Sequence, residues 1–474
     1  MDATEKNVSD FRERLHYFNK DGGCCGVNLL AVAEYVKETT CFFVSKGVFY
    51  VYSGGVYLPD MDGVEMWGKV KNCLYPQFVK PDTISKILKL LVMEKDCYIS
   101  DDSKLNNFDR RSICFKNGMY SPVTNVIFEH NPKYNCINQI PFAYTPGVEY
   151  KGKGKYTDDF LSFAIPNPDD REMFLEFLGL SLTFDTRQQV FLLLTGTGNT
   201  GKSTLISMIE YIVGRANISN VPLEKIGDRF NSSQLYGKLL NSCGDLSIDA
   251  LGDVSILKKL VGEDSIFAER KGRDGFSFYN YARLLFSVNG LPIVKAEKTN
   301  GFYRRLLIIE MNNTPKKKDA SLMDKLKGEA DYFLFLIVEA LRRLYARGEI
   351  LVSEGSRKAT AEMWAASDSV QAFLSDMCEK GTETDRIERS KLFEAYTKYC
   401  QRCERTALTR NSFYSSVKVK GFGVVKSNGI VFFRGVKFQE LPFNNIKDGE
   451  NCPFFDIKDV KEKERIAEMF GFSG

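Results

Sequence analysis

The stretch that decides the fold is Val190–Thr204, VFLLLTGTGNTGKST. Its first part, VFLLL (190–194), is a continuous apolar run of strand length. That pattern suits a strand buried on both faces of a parallel sheet. It runs into Gly196-Thr197-Gly198-Asn199-Thr200-Gly201-Lys202-Ser203-Thr204. These residues fit the phosphate-binding loop: Gly, four residues, Gly-Lys, then Ser or Thr. The residue types follow from the chemistry. Glycines let backbone N–H groups converge on phosphate oxygens without a Cβ in the way. Lys202 sets a positive charge against the β and γ phosphates, and the Ser203 hydroxyl is a ligand for Mg²⁺. A helix from 202 to about 213 aims its positive end at the anion. ATP with Mg²⁺ is the expected ligand.

Three more strand-length apolar runs follow: KLLNSC (238–243), ARLLFSV (282–288) and RLLIIE (305–310). Helices are expected between them, giving a βαβ pattern and a parallel α/β core. Upstream, DDREMFLEFLGLSLTF (169–184) has helical character, with Asp169 or Asp170 expected as its N-cap. An ATPase needs an acid at the end of a neighbouring strand, and LYGKLLNSCGDLSID offers Asp245, with Asp249 behind it. Asp245 as a helix cap is the other reading. In FSVNGLP, Asn289 is placed to sense a γ-phosphate, or else to form an Asn-Gly turn. Arg304 and Arg305 open the last strand. They are either a surface pair or a charge offered to a neighbouring subunit's phosphates.

The chain has 474 residues, which suggests about three domains at roughly 150 residues each. With 43% apolar and 27% charged residues it reads as globular. Its 65 Lys and Arg against 61 Asp and Glu give a net charge of +4 and exclude a uniformly basic protein. Nucleic-acid binding would need a local basic patch. The longest apolar stretches, such as YFLFLIVEAL (332–341), are too short for a membrane span. The N-terminus has no apolar export core, so a cytoplasmic protein is expected. There are 12 cysteines and 2 histidines, and Cys400-x-x-Cys403 is the single CxxC. Its place on an amphipathic helical pattern suits buried thiols better than a metal.

Four regions are expected. Residues 1–150 form an α+β accessory domain, with hairpins in CFFVSKGVFYVYSGGVYLP (41–59), a helix in ISKILKLLVMEK (84–95) and an Asn117-Gly118 turn. KGKGKY (151–156) looks like a linker. Residues 157–350 hold the ATPase, 366–438 a winged-helix-like DNA-binding domain, and 439–474 a tail. Within 398–438 there are nine Lys or Arg and one acidic residue, Glu404. Lys418, Lys420, Lys426 and Arg434 are the candidate contacts to duplex phosphates. IFAERKGRDGFSFYN (266–280) reads as a hairpin, with Lys271 and Arg273 near its tip and Phe276 available to a sugar or base.

At this point the chain resembles the superfamily 3 helicases, and is similar to the helicase part of phage, plasmid and poxvirus-type primase-helicases. The resemblance rests on GTGNTGKST, RFNSSQLYGKLLNSCGDL, ILKKLVGEDSIFAERKGRDGF, ARLLFSVNGLP and GFYRRLLIIE, in that order. It implies an AAA+-like P-loop core and a ring, usually a hexamer, with ATP between subunits. It also implies 3′ to 5′ movement on single-stranded DNA, with the 266–280 hairpin in the central channel. Lys202, Asp245, Asn289 and Arg305 would be the phosphate lysine, Walker B acid, sensor and arginine finger, with Arg304 the neighbouring candidate. Ser203 and Asp245 would hold Mg²⁺. Relatives often carry Glu where this chain has Asp245. The implied setting is replication of a phage, plasmid or mobile element in a bacterial cytoplasm. Forked DNA, an origin duplex and replisome proteins would be partners, with self-loading at an origin a further option. Two alternatives stay open: primer synthesis through Asp60-x-Asp62, and an ATP-switched origin-binding protein.

Overall fold

The computed structural model describes residues 11–150, 153–246, 255–272, 274–290, 300–403 and 407–439, without the side chains of 245, 246, 300 and 365–367. The described residues fall into two compact units, one ending at Thr360 and the other beginning at Ala361.

The first unit opens with a short antiparallel pair, β1 (His16–Phe18) and β2 (Cys24–Val27), and helix α1 (Leu29–Thr39). A meander follows: β3 (Phe42–Ser45), β4 (Val48–Ser53) and β5 (Val56–Asp60). Its turns are Lys46-Gly47 (φ 51° and 72°) and Gly54-Gly55 (φ 59° and 96°). Two successive positive φ values match the right-handed twist of the flanking strands, which is why glycine recurs there. Helices α2 (Val64–Asn72) and α3 (Pro81–Met93) join α1 over the meander, with Val32, Val36, Met66, Val70, Ile84 and Leu91 in their shared core. The Asp60 carboxylate accepts the backbone N–H groups of Glu65 (3.1 Å) and Met66 (2.9 Å) at the start of α2. A second meander, β6 (Ile113–Phe115), β7 (Gly118–Ser121) and β8 (Val126–Phe128), contains the expected Asn117-Gly118 turn. Its Ile113, Phe115 and Tyr120 share one core with the helices around the main sheet, so packing continues across position 150.

The end of the expected linker already belongs to helix α4 (Lys155–Ala164). Glu329 binds the first N–H groups of that helix, those of Tyr156 (3.2 Å) and Thr157 (2.8 Å). Helix α5 (Pro168–Leu180) is capped by Asn167, whose side chain accepts from Asp169 N and Asp170 N. The cap therefore lies just before Asp169 and Asp170, because Pro168 lacks an N–H and fits the first helical position. Then come β9 (Phe191–Thr195), α6 (Lys202–Val213), β10 (Ile218–Ser219), β11 (Leu240–Leu246) and α7 (Ser255–Val261). The hairpin β12 (Ser265–Ala268) and β13 (Phe276–Tyr279) precedes β14 (Arg283–Val288) and β15 (Leu306–Glu310). Helices α8 (Leu322–Gly328), α9 (Ala330–Arg347) and α10 (Glu354–Ser367) follow.

The main sheet has five strands in the order β10-β11-β14-β9-β15, all parallel. Every residue of β9 and β14 is buried, as the apolar runs predict. The polar interruption at Asn241 has a structural reason. Its Oδ1 accepts from Val221 N (2.8 Å) and Ser219 Oγ (2.9 Å), and its Nδ2 donates to Val221 O (3.0 Å). The side chain thus continues the ladder where the two-residue β10 ends.

The second unit contains α11 (Ser369–Met377), β16 (Cys378–Lys380), β17 (Arg386–Glu388), α12 (Arg389–Arg402) and α13 (Arg410–Val419). It ends in β18 (Gly423–Ser427), β19 (Ile430–Arg434) and β20 (Val436–Phe438). Strands β17-β19-β18 make an antiparallel sheet, and β16 pairs with β20. Phe373, Leu392, Tyr396, Phe413 and Phe433 fill its core, together with Cys400. Cys403 on the same helix is exposed. Among the described residues no group of three His, Cys, Asp or Glu is placed to hold a metal. No described helix is long and apolar enough to cross a membrane. Residues 440–474, with most of the expected tail, lie outside the described residues.

Helices α5 and α9 are joined by a desolvated ion pair. Glu176, fully buried, takes Arg347 Nη2 on both oxygens (2.6 and 2.7 Å) and the Leu351 N–H (2.8 Å). Burial pushes the Glu176 carboxyl above its ordinary value even against Arg347. Such a pair adds little net stability but is costly to break. Glu176→Ala should lower the unfolding free energy by about 3–5 kcal/mol in urea titration. Removing the more exposed Arg343–Glu172 pair (2.6 Å) by Arg343→Ala should cost under about 1 kcal/mol.

Candidate nucleotide site and nucleic-acid interface

Strand register sets the site. Thr195, the last residue of β9, pairs with Val288 on one side and Glu310 on the other, and Leu246 of β11 also pairs with Val288. The carboxyl ends of β11, β14, β9 and β15 are therefore level. Parallel α/β sheets bind ligands at that edge. The loop after Thr195, Asn289 after Val288 and the backbone of Asp245 all lie there. The side chain of Asp245 lies outside the described residues, as does all of Asp249.

The loop depends on two glycine geometries. Gly196 has φ 147°, and a Cβ on it would meet the backbone carbonyl of Met311. Met311 N in turn donates to Thr195 O at 2.7 Å, fixing that close approach. Gly201 (φ 91°) stands at the N-cap of α6. Gly198 has nothing within 4 Å of a built Cβ, so the fold makes no steric demand there. Lys202 is buried at the first position of α6. Its Nζ donates to Gly196 O (2.6 Å) and Thr197 O (2.9 Å), which aims the ammonium into the loop. Thr200 Oγ1 donates to Thr197 O (3.2 Å). Ser203 is exposed and, with Asn199, Thr200, Thr204 and Asn289, lines a cavity of about 670 Å³. Lys202 and Asn289 thus meet at one cavity, and Ser203 presents the hydroxyl a cation would need.

Arg304 and Arg305 are not at this edge. They precede Leu306, at the amino end of β15, about 17 Å from the loop end of that strand at roughly 3.3 Å per residue. Arg305 is half-buried, donating to Gly301 O (2.6 Å) and Gln189 Oε1 (3.1 Å). Burial, then the adjacent Arg304 charge, lowers its pKa. Arg304 is exposed.

The 266–280 segment forms the expected hairpin, and strand parity sorts its side chains. Ile266, Ala268 and Phe278 are buried. Phe276 shares their face. It is half-buried, packs against Tyr236 (centroids 5.3 Å), and has the Arg270 guanidinium 4.9 Å from its centroid. The opposite face presents Phe267, 60% exposed, and Tyr279, 64% exposed. Sequence reasoning named Phe276 and missed these two, although period-2 alternation from Phe278 would have found them. Lys271 is exposed, and Arg273 lies outside the described residues. Near the hairpin, Arg229 bonds ionically to Glu269 (3.4 Å) and lies 4.7 Å from the centroid of Phe230, itself an exposed ring.

In the second unit Lys418, Lys426 and Arg434 are exposed. Lys420 differs: its Nζ is held by Asp368 Oδ2 (2.5 Å) and Gln371 Oε1 (3.0 Å) and its side chain is largely covered. That lysine is a structural tie between α13 and the start of α11, with its charge already answered. Arg410 and Asn411, exposed on α13, were not anticipated.

Comparison with known proteins places residues 194–305 as a match to a family of unknown function (DUF5906). A protein named "Putative helicase L207/L206", from Acanthamoeba polyphaga mimivirus, is 24% identical over 305 residues, covering 58% of this chain. The chain spans about a third (32%) of the length of that curated relative. Among solved structures, the apo C-terminal region of NrS-1 superposes with a TM-score of 0.48 and 14% identity, over 85% of this chain and 98% of that one. A further apo A-form structure of that region, residues 305–718, gives 0.49 and 14% over 86% of this chain and 99% of that one.

The loop geometry makes a direct prediction. Gly196→Ala should cost at least about 1–3 kcal/mol in thermal unfolding, from backbone strain and the Met311 contact. Gly198→Ala should stay within about 0.5 kcal/mol of the parent.

Proposed function

We propose that the protein is an ATP-dependent DNA helicase motor of superfamily 3 type, working as a ring, in the replication of a virus or mobile element. One observation carries the reading. The phosphate loop stands at the carboxyl edge of a parallel sheet in which β14 separates the loop strand from the strand of Asp245. That order brings Asn289 between the loop and the strand of Asp245, and in this reading it faces the γ-phosphate. Similarity to a helicase-named viral protein agrees with it.

In this reading Lys202 and the loop N–H groups hold the β and γ phosphates. Ser203 and Asp245 hold Mg²⁺, which would neutralise charge developing on the transferred phosphoryl group. Asn289 reports the γ-phosphate to β14. The arginines are too far from their own loop to act on it, so they serve a neighbouring subunit's nucleotide, as ring assembly requires. Arg304, exposed, is the leading candidate, and Arg305 with its Gly301 and Gln189 contacts positions it.

The hairpin supplies the contact with single-stranded DNA: Lys271 for phosphate, Phe267 and Tyr279 for base stacking. The second unit, with a helix, two short strands, two helices and an Asn428-Gly429 hairpin in that order, is read as a winged helix. Its candidate duplex contacts are Lys418, Lys426 and Arg434. Hexameric assembly, 3′ to 5′ movement and self-loading at an origin belong to the same proposal. Primer synthesis through Asp60 is disfavoured, because its carboxylate already accepts two backbone N–H groups.

The deciding measurement is ATP-dependent strand separation on a forked duplex. The parent protein should displace the strand and Lys202→Ala should not. Binding of DNA without strand displacement or DNA-stimulated turnover would instead support an ATP-switched loader. A second experiment reads the hairpin. Lys271→Ala, and separately Phe267→Ala with Tyr279→Ala, should reduce stimulation of ATP hydrolysis by single-stranded DNA at least about fivefold. Full stimulation in both variants would remove the hairpin from the DNA path.

A further inference from the structure

The cavity in front of the phosphate loop is larger than a triphosphate needs, and its two ends differ in chemistry. One end is the loop with Lys202, Ser203, Thr204 and Asn289. The other carries the rings of Tyr156, Phe160 and Phe163 of α4 with Pro315 and Leu322, among the charged groups of Asp159, Lys317, Lys318 and Asp319. We propose that this aromatic end is the seat of the nucleotide's base, which it holds by stacking, with purines preferred over pyrimidines. The proposal rests on the reading of the loop as a triphosphate site.

The three rings sit at i, i+4 and i+7, which puts them on one face of α4. They are not equivalent. Phe160 is a core residue, and its ring lies 3.2 Å from the position a Cβ on Gly201 would take. It is therefore the wall joining the loop to the aromatic end. Tyr156 is 44% exposed and Phe163 half-buried. Core packing accounts for Phe160 and leaves the placement of those two rings to be explained by what enters the cavity.

The helix that carries the rings is also held in place at both ends, which a stacking site requires. Glu329 fixes the amino end of α4 through Tyr156 N, Thr157 N and Thr157 Oγ1 (3.2, 2.8 and 2.9 Å). Asn313 Nδ2 donates to Phe163 O (2.9 Å), tying the carboxyl end of α4 to the segment that carries Pro315. Lys325 Nζ lies 5.2 Å from the Tyr156 ring centroid and is itself held by Asp319 (2.7 Å). A helix already anchored in this way has little backbone freedom to lose on binding. Stacking tolerates any base but strengthens with ring area, hence the purine preference.

The test compares three probes by calorimetry with Mg²⁺: the β,γ-imido analogue of ATP, the same analogue of CTP, and inorganic tripolyphosphate. The parent should bind the ATP analogue at least about tenfold more tightly than tripolyphosphate, with the CTP analogue between them. Tyr156→Ala with Phe163→Ala should bring the ATP analogue close to tripolyphosphate while tripolyphosphate itself stays within about twofold. Tyr156→Phe with Phe163→Tyr should restore the parent's order. An unchanged ATP affinity in the double alanine variant would overturn the proposal, and so would a parallel loss of tripolyphosphate binding, which would make the rings merely supports of the loop. Failure of the parent protein to bind either the ATP analogue or tripolyphosphate would instead overturn the loop reading.

Discussion

The pairing of β9 between β14 and β15 is the constraint on which the rest depends. It levels Thr195 with Val288 and Glu310. The phosphate loop then emerges where β14 delivers Asn289 and where Met311, just past β15, meets Gly196. A one-residue slip would turn every buried side chain of β9 to the opposite face. Because β9 is apolar on both faces, the helices on either side and the backbone ladder hold it in place. The Met311–Thr195 hydrogen bond and the Gly196 contact lock the loop at the same point.

The same sheet distributes the chemistry. Parallel strands put all their carboxyl ends on one edge, so the loop after β9, Asn289 and the backbone of Asp245 gather there. The arginines at the start of β15 are carried to the opposite edge by the length of a single strand. The accessory region is not a detached module. Its second meander shares a core with the helices around the sheet, and α4 reaches from that side to become one wall of the cavity in front of the loop.

Much of this was legible in the chain. The apolar runs of β9, β14 and β15, the loop glycines, the hairpins within 41–59, the Asn117-Gly118 turn and the helical spacing of 84–95 are local patterns with local causes. Other features were misread where a local rule competed. Pro168 at the first helical position moved the cap of α5 back to Asn167. The KGKGKY segment resembles a linker by composition, yet Lys155 and Tyr156 are helical because Glu329, far along the chain, binds the N–H groups at that helix end. Phe276 was chosen for its place beside the hairpin tip, although strand parity with the buried Phe278 turns it inward.

By itself the sequence determined the phosphate loop, the α/β class and the order of the strands along the chain, since these follow from backbone conformation and hydrophobic period within a few residues. Only the tertiary structure decided which strands are neighbours, how far Arg304 stands from its own loop, that Lys420 answers Asp368, and that Asn241 completes a ladder. Each of those is a pairing between residues distant in the chain. Their energies come from burial and register, and no local spacing encodes the partner.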